Sequence, residues 1–326
     1  MKCDIIIPVW NQLGLTRDCI EYLFKNTRYP FRLIIIDNGS EKEVYQYLKK
    51  LSQARSEQLT LIRNEANLGY VKAINQGLKI SEADYICLLN NDTRVDNGWL
   101  QELIKAVQSD QGIGIMNPGG FPGSYRKKEL SGKWMEIGFA TGFCMLIKRE
   151  IIRKIGFLDE IYGIGYWEDT DYCQRAKKMG YICAASQAAY VFHHAKSTFN
   201  LFKKGKVNEL FERNKNIFYK KWGKILRVAC VIFEQDIDNK WIDELLRLAR
   251  QGHLVHLILK KSANMPAGTK KVYMRKFRYP DILFGCWAAF KIIHRRRKKF
   301  DSLLTDNPKF AARASSFVPG LKVDLV

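Results

Sequence analysis

Apolar runs of strand length alternate with segments of helical spacing from the third residue onward, and this alternation constrains the fold more than any other feature. Cys3 to Val9 (CDIIIPV) reads as a strand, and Leu15, Cys19, Tyr22 and Leu23 then recur at helical spacing up to Lys25. The pattern repeats: a strand over Phe31–Ile36, a helix over Lys42–Leu51, a strand over Leu59–Ile62 and a helix over Gly69–Ile80. A strand over Asp84–Leu89 and a helix over Trp99–Val107 follow. Strands joined by helices of this length imply right-handed crossovers and a parallel, doubly wound α/β sheet. Such sheets bind ligands beyond the carboxyl ends of their strands. Three of these ends are polar: Pro8-Val9-Trp10-Asn11, Asp37-Asn38-Gly39-Ser40 and Asn90-Asn91-Asp92. Parallel pairing places all three loops at one edge.

The centre of the chain is less regular. A loop rich in glycine and charge runs from Gly119 to Lys133, long enough for a mobile flap over an active site. Phe139–Ile147 reads as a strand, Thr170–Lys178 as a helix behind an acidic cluster, Ala189–Phe192 as a strand and Asn208–Trp222 as a closing helix. Arg227–Phe233, Asp238–Arg250 and Leu254–Leu259 restart the strand–helix–strand alternation, so a boundary falls near 223–226. The expected domains are residues 1–222 and a smaller α/β, Rossmann-like region at 227–326.

The chain has 326 residues, too many for one small core, and 47% hydrophobic with 27% charged residues is a globular composition. Its formal charge of +21 calls for an anionic partner. Residues 227–326 alone hold 20 Lys and Arg against 9 Asp and Glu, with a concentration at His294–Lys299. Eight cysteines without a CxxC pair, several within apolar runs, read as buried thiols of a reducing compartment. A strand beginning near Asp4 leaves no room for a signal peptide, and no apolar stretch reaches the roughly 18 residues of a spanning helix. The expected location is the cytoplasm, peripheral on the cytoplasmic face of a membrane if the basic region docks there.

Seven motifs in order, "IIIPVWNQ", "IIIDNGS", "NLGYVKAINQG", "LLNNDTRV", "TGFCMLIKRE", "GFLDE" and "YWEDTDYCQRAKKMGY", make residues 1 to about 222 resemble a family 2 glycosyltransferase of the GT-A fold. The last hundred residues only vaguely resemble the opening of a GT-B nucleotide-sugar transferase domain, which at this length would be incomplete. The resemblance implies a transferase that moves a sugar from a nucleotide-diphosphate donor, UDP- or dTDP-linked, to a hydroxyl of a glycan or lipid-linked acceptor. No nucleic-acid partner is expected.

The site residues follow from the resemblance beside an ordinary reading of each. Asp37 has the carboxylate to accept the imide N–H of a uracil or thymine base, and the family places it against the nucleotide, with Pro8 and Val9 lining the base pocket. An Asp-Asn-Gly turn is the alternative. Asn11 and Asn91 fall in the same donor-side loops. Gly69 would let backbone approach the nucleotide beside Asn67; a helix start after an Asn cap explains both as well. Asn90-Asn91-Asp92 resembles the family's metal-binding Asp-x-Asp, with Asp92 as the ligand of Mn²⁺ or Mg²⁺, against the alternative of a polar turn. His193 or His194 would complete that shell, His193 aligning better, and an imidazole favours Mn²⁺. An inverting transfer needs a carboxylate opposite the leaving diphosphate, and the family's Glu-Asp motif supplies Glu168 and Asp169, with Asp169 as the base. Trp167 would stack on an acceptor sugar beside Asp171, or be a core aromatic, and Asp171 a helix-start residue.

Two other functions are weighed. A sugar nucleotidyltransferase would want a Gly-rich loop after the first strand, which "PVWNQLGL" does not have. A non-catalytic nucleic-acid or membrane-binding protein fits the charge but lacks recognition modules. A dinucleotide dehydrogenase is excluded because no GxGxxG follows the first strand.

Overall fold

The computed structural model describes residues 2–119, 133–194, 204–264, 272–294, 299–318 and 320–326. The expected flap at 119–133 lies almost wholly outside the described residues, as does most of the basic run 294–299. The chain forms two compact units, Met1–Trp134 with Phe139–Trp222, and Met135–Gly138 with Gly223–Val326.

In the first unit the elements are β1 (Cys3–Val9), α1 (Leu13–Asn26), β2 (Phe31–Asn38), α2 (Lys42–Ala54), β3 (Leu59–Asn64), α3 (Tyr70–Ile80), β4 (Tyr85–Leu89), β5 (Thr93–Val95), α4 (Trp99–Gln108) and β6 (Ile113–Asn117). They continue with β7 (Trp134–Glu136), whose last two residues are counted with the second unit, then β8 (Cys144–Lys148), α5 (Arg149–Ile155), α6 (Glu168–Lys178), β9 (Ile182–Ser186), β10 (Val191–His193) and α7 (Lys204–Trp222). The main sheet has the order β3-β2-β1-β4-β8-β6-β9-β7. β1, β2, β3 and β4 run parallel, and β8 is antiparallel to both β4 and β6. This is the mostly parallel, helix-flanked sheet expected of residues 1–222.

The central strands are apolar at most positions because both faces are covered. Ile5, Ile7 and Val9 join Leu33, Ile35, Cys87 and Leu89 in one core with Cys19, Ile20 and Leu23 of α1. Alternate residues such as Ile6 face the opposite layer, where α3 crosses so closely that a Cβ at Gly77 would lie 2.5 Å from the Ile6 side chain. The strand expected over Phe139–Ile147 is the shorter, antiparallel β8. β6 and β9, IGIMN and ICAAS, escape pattern reading because Gly, Ala and Ser dilute their apolar character.

In the second unit β11 (Arg227–Ile232), α8 (Asn239–Arg250), β12 (Leu254–Lys260), β13 (Arg275–Tyr279), α9 (Phe284–Ile293), β14 (Ser302–Thr305), α10 (Pro308–Phe317) and β15 (Lys322–Leu325) follow. Its five strands are all parallel in the order β13-β12-β11-β14-β15. Separate cores cover the two faces, one built on Trp241 and Leu245 of α8, the other on Phe284, Ala288 and Ile292 of α9. Connections reverse between β11 and β14, the place where such sheets hold ligands. Here the chain fills it: Asp306 accepts from the backbone N–H of Phe233 and Glu234, both at 2.9 Å.

Candidate functional site

The carboxyl ends of β1 and β2 form one cradle. After Val9 the backbone turns through left-handed Asn11 and Gln12, with φ of 57° at both. The Asn11 N–H donates to Ser40 Oγ at 2.9 Å, and its Oδ1 accepts from the Glu41 N–H at 2.8 Å, which ties the two loops together. Asp37 and Arg63 stand opposite each other in the β2–β3 register and form an ion pair. The other Asp37 oxygen accepts from the Ser40 N–H at 3.0 Å, and Asp37 is wholly buried. In this state the group of the pair that reaches solvent is therefore Arg63, which the sequence reading did not single out. Its signal was one cation in the apolar run of β3.

Asn67 and Gly69 belong to an amide network that shapes the start of α3. Asn67 Oδ1 accepts from Asn38 Nδ2 at 2.8 Å and from the Gly69 N–H at 2.9 Å, while Asn38 Oδ1 accepts from the Leu68 N–H at 3.0 Å. Gly69 has φ of 88°, and a Cβ there would lie 3.1 Å from both the Gly163 carbonyl oxygen and Ile164 Cα. The backbone that approaches this glycine is thus the loop ahead of α6.

Beyond β4 the polar triplet divides its work. Asn91 turns inward and donates to Thr16 Oγ1 at 3.0 Å, which fixes α1 to this loop. Asp92 meets His193 because β5 and β10 pair antiparallel, with His193 opposite Thr93. His193 Nε2 lies 3.0 Å from Asp92 Oδ1 and 3.4 Å from Asn90 Nδ2. The His193 ring stacks on Phe143 at 4.7 Å. His193 Nδ1 and Asn90 Oδ1 are buried without a hydrogen-bond partner among the described residues. The expected metal residues are therefore brought together, and Asn90, not Asn91, faces them. His194 instead bonds through its N–H to the Asp92 carbonyl at 3.0 Å. Among the described residues no group of three or more His, Cys, Asp or Glu is placed to hold a metal ion. The Asp92 carboxylate oxygen, His193 Nε2 and the orphaned Asn90 amide oxygen are a donor set that fits a divalent cation.

The acidic cluster opens α6 behind a strained turn, in which Tyr166 and Trp167 have φ of 69° and 74°. Asp169 Oδ2 accepts from the Gly142 N–H at 2.9 Å, and Oδ1 from the Thr170 N–H at 2.6 Å and Thr170 Oγ1 at 3.1 Å. Burial raises its pKa, and these three bonds pull it back only in part. The Glu168 carboxyl is held well above its ordinary value by burial and by the Asp169 charge, and its Oε2 has no partner among the described residues. Gly142 and Phe143 join the two halves of the site. The Gly142 N–H holds Asp169, the Phe143 carbonyl accepts from the Asn90 N–H at 2.9 Å, and the Phe143 ring stacks on His193. Adjacent Cα atoms lie about 3.8 Å apart, so the carboxylate pair of α6 and the Asp92–His193 pair hang from one strand start. The "TGF" of the fifth motif was the signal.

Two expected acceptor residues are placed otherwise. Asp171 is wholly buried and receives Trp222 Nε1 at 2.7 Å, Tyr162 Oη at 3.2 Å, Arg175 Nε at 3.0 Å and Lys221 Nζ at 2.7 Å. With four donors from α6, α7 and the preceding turn, it holds the fold and not a sugar. The Trp167 ring packs 5.0 Å from Phe218 and 5.7 Å from Phe211 and Tyr219, which makes it part of an aromatic cluster with α7. One further residue went unread: Asn214 of α7, wholly buried, donates from Nδ2 to the carbonyls of Tyr162, Gly165 and Tyr166 at 2.8, 2.7 and 3.1 Å.

A mostly parallel sheet with an antiparallel strand between β4 and β6, and polar residues gathered at its carboxyl edge, is the arrangement of the GT-A type fold. Residues 4–156 match the family model described as glycosyl transferase family 2, the family that the seven motifs resemble. Among curated proteins, the O-antigen biosynthesis protein RfbC of Myxococcus xanthus is 23% identical over 226 residues, 59% of this chain and 17% of the relative. The N-acetylglucosaminyl-diphospho-decaprenol L-rhamnosyltransferase of Mycobacterium tuberculosis (strain ATCC 25618 / H37Rv) is 24% identical over 213 residues, 52% of this chain and 68% of the relative. The matches span 24%, 18% and 17% of the lengths of the first curated relatives. A solved structure of GalNAc-T7 with UDP, GalNAc and Mn²⁺ superposes with a TM-score of 0.52 at 16% identity, over 59% of this chain and 44% of that one, a likeness of fold alone. No helix among the described residues is long and apolar enough to cross a membrane.

Proposed function

We propose that this chain is an inverting glycosyltransferase. It would move a hexose or deoxyhexose from a UDP- or dTDP-sugar to a hydroxyl of a glycan or lipid-linked acceptor, in the synthesis of cell-envelope polysaccharide at the cytoplasmic face of a membrane. The observation that carries the proposal is the tie through Gly142 and Phe143, which hangs a half-buried carboxylate of raised pKa and an Asp–His pair from one strand start. The rhamnosyl relative, by its name, acts on a lipid-linked acceptor, which supports that acceptor class and a deoxyhexose donor.

Each residue then has a defined task. Asp37 fixes Arg63 and the Ser40 backbone at the floor of the donor cradle, with Pro8 and Val9 as its apolar wall. Asp92 and His193 would hold Mn²⁺ or Mg²⁺. When bound, the cation supplies Lewis-acid stabilisation of the diphosphate charge. Asp169 Oδ2, which accepts one bond from Gly142, keeps lone-pair capacity to receive the acceptor's proton. As that proton passes to the carboxylate, the acceptor oxygen bonds to the anomeric carbon. The carbon–oxygen bond to phosphate breaks, and its electron pair departs with the diphosphate. Glu168, whose carboxyl burial and the Asp169 charge hold well above its ordinary value, resists placing a second negative charge next to the base.

A thermal-shift panel of UDP-, dTDP- and GDP-sugars with and without Mn²⁺ tests the reading, followed by NMR of the product's anomeric configuration. Stabilisation by UDP- or dTDP-sugars that requires the metal, with inverted product, is expected. A retained configuration, or no response to any nucleotide sugar, would overturn it.

A further inference from the structure

The outward face of α9 is apolar. Phe284, Ala288 and Ile292 pack inward, as an amphipathic helix requires. Yet the opposite stripe is also apolar: Leu283 is 69% exposed, Trp287 44% and Phe290 55%, with Cys286 and Ile293 also exposed. Across a cavity of about 510 Å³, Phe317 of α10 adds a ring 59% exposed. The wall of the same cavity on α10 carries Lys309 and Arg313, one turn apart. Neither cation is ion-paired among the described residues. A large exposed apolar patch marks an interaction surface, and flanking cations define the charge of the partner.

We propose that α9 and α10 form a docking site for an anionic lipid bilayer. Leu283, Trp287, Phe290 and Phe317 would enter the headgroup–acyl boundary, and Lys309 and Arg313 would contact lipid phosphates. The pairing of Trp and Phe on one side with cations beside them is the chemistry of helices that lie in a membrane interface. A second copy of the chain fits less well, because residues 227–326 carry a net +11 and self-association would set that charge against itself. A nucleotide is disfavoured as occupant of this unit's sheet edge, since Asp306 and the Asp238 cap of α8 already take the backbone donors there. The site deepens the proposed function by naming the surface on which a lipid-linked acceptor is met.

The test is co-sedimentation of the full chain with vesicles of phosphatidylglycerol and phosphatidylcholine, against phosphatidylcholine alone, at low and high salt. Binding to the anionic vesicles that weakens with salt is expected. Trp287→Ser with Phe290→Ser should lower the association constant at least about tenfold. Lys309→Gln with Arg313→Gln, which alters only exposed polar ends, should lower it about 20- to 30-fold. Equal binding to neutral and anionic vesicles, or unchanged binding of both double variants, would overturn the site. So would a concentration-dependent dimer in sedimentation velocity that both variants abolish while vesicle binding persists. The assay reads neither donor binding nor sugar transfer, so its failure would leave the transferase reading standing.

Discussion

At the scale of single residues, the outcome turns on which carboxylates keep an open lone pair. Asp171 does not, since four donors surround it, whereas among the described residues Asp169 accepts at Oδ2 only from Gly142. Asp169→Asn should therefore lower kcat by about 10²–10⁴-fold and leave donor affinity unchanged in calorimetric titration. Because burial raises the Asp169 pKa, the acid limb of kcat/KM should lie above about pH 3.9, the ordinary value. Asp92→Ala should remove the Mn²⁺-dependent part of UDP or dTDP affinity, again read by calorimetry with and without the metal. Glu168 reports burial through stability. Its folded pKa is raised, so between the ordinary and raised values the folded protein keeps a proton that the unfolded chain releases. The stability carried by that proton is complete below about pH 4.3 and is lost as the pH rises through the folded value. Glu168→Gln should accordingly raise Tm near neutrality, by about 2–4 °C for each kcal/mol, and give no gain below about pH 4. An equal Tm difference at both pH values would place the carboxylate outside the core.

Among elements, the turn ahead of α6 is the one that works under strain. Gly163, Gly165, Tyr166 and Trp167 all have positive φ, and non-glycine residues in this region cost on the order of 1–3 kcal/mol each. Asn214 on α7 offsets that cost with its three contacts to the turn's carbonyls. Asn214→Ala removes these three bonds, a loss of about 1–3 kcal/mol. Since Glu168 and Asp169 follow the turn directly, the variant should lose about 10- to 100-fold in kcat. It should still bind donor nucleotide, because the cradle is built on β1, β2 and β3. Loss of donor affinity in equal measure would reduce Asn214 to a general packing residue.

For the whole molecule, separate cores matter more than length. The core of β1, β2 and β4 is drawn entirely from residues before 192, and the two cores of the second unit from residues after 225. A chain ending at Trp222 should thus still gain thermal stability from UDP or dTDP while losing vesicle binding. Calorimetry of the full chain should show two transitions, of which only one moves with nucleotide. A single transition that moves as one would mean the units do not melt independently.

The chain's order of apolar runs determined the sheet by itself: two faces to cover require strands that are apolar throughout, and β1, β2 and β4 are nearly so. It also determined that Asp37, Asp92 and Asp169 stand at strand or helix ends, since polar triplets cannot continue a buried strand. What only the tertiary structure decided is which side chains meet. Asp92 reaches His193 through the antiparallel pairing of β5 with β10, across 101 positions of sequence. Arg63 reaches Asp37 through register, and Asn214 reaches the turn ahead of α6 from 48 positions away. The same holds for Trp167 and Asp171, which pattern and resemblance place beside a sugar and packing places against α7. Local propensity records which residues can end an element, but the partner across a sheet or from a distant helix depends on register and packing, which no short stretch of sequence contains.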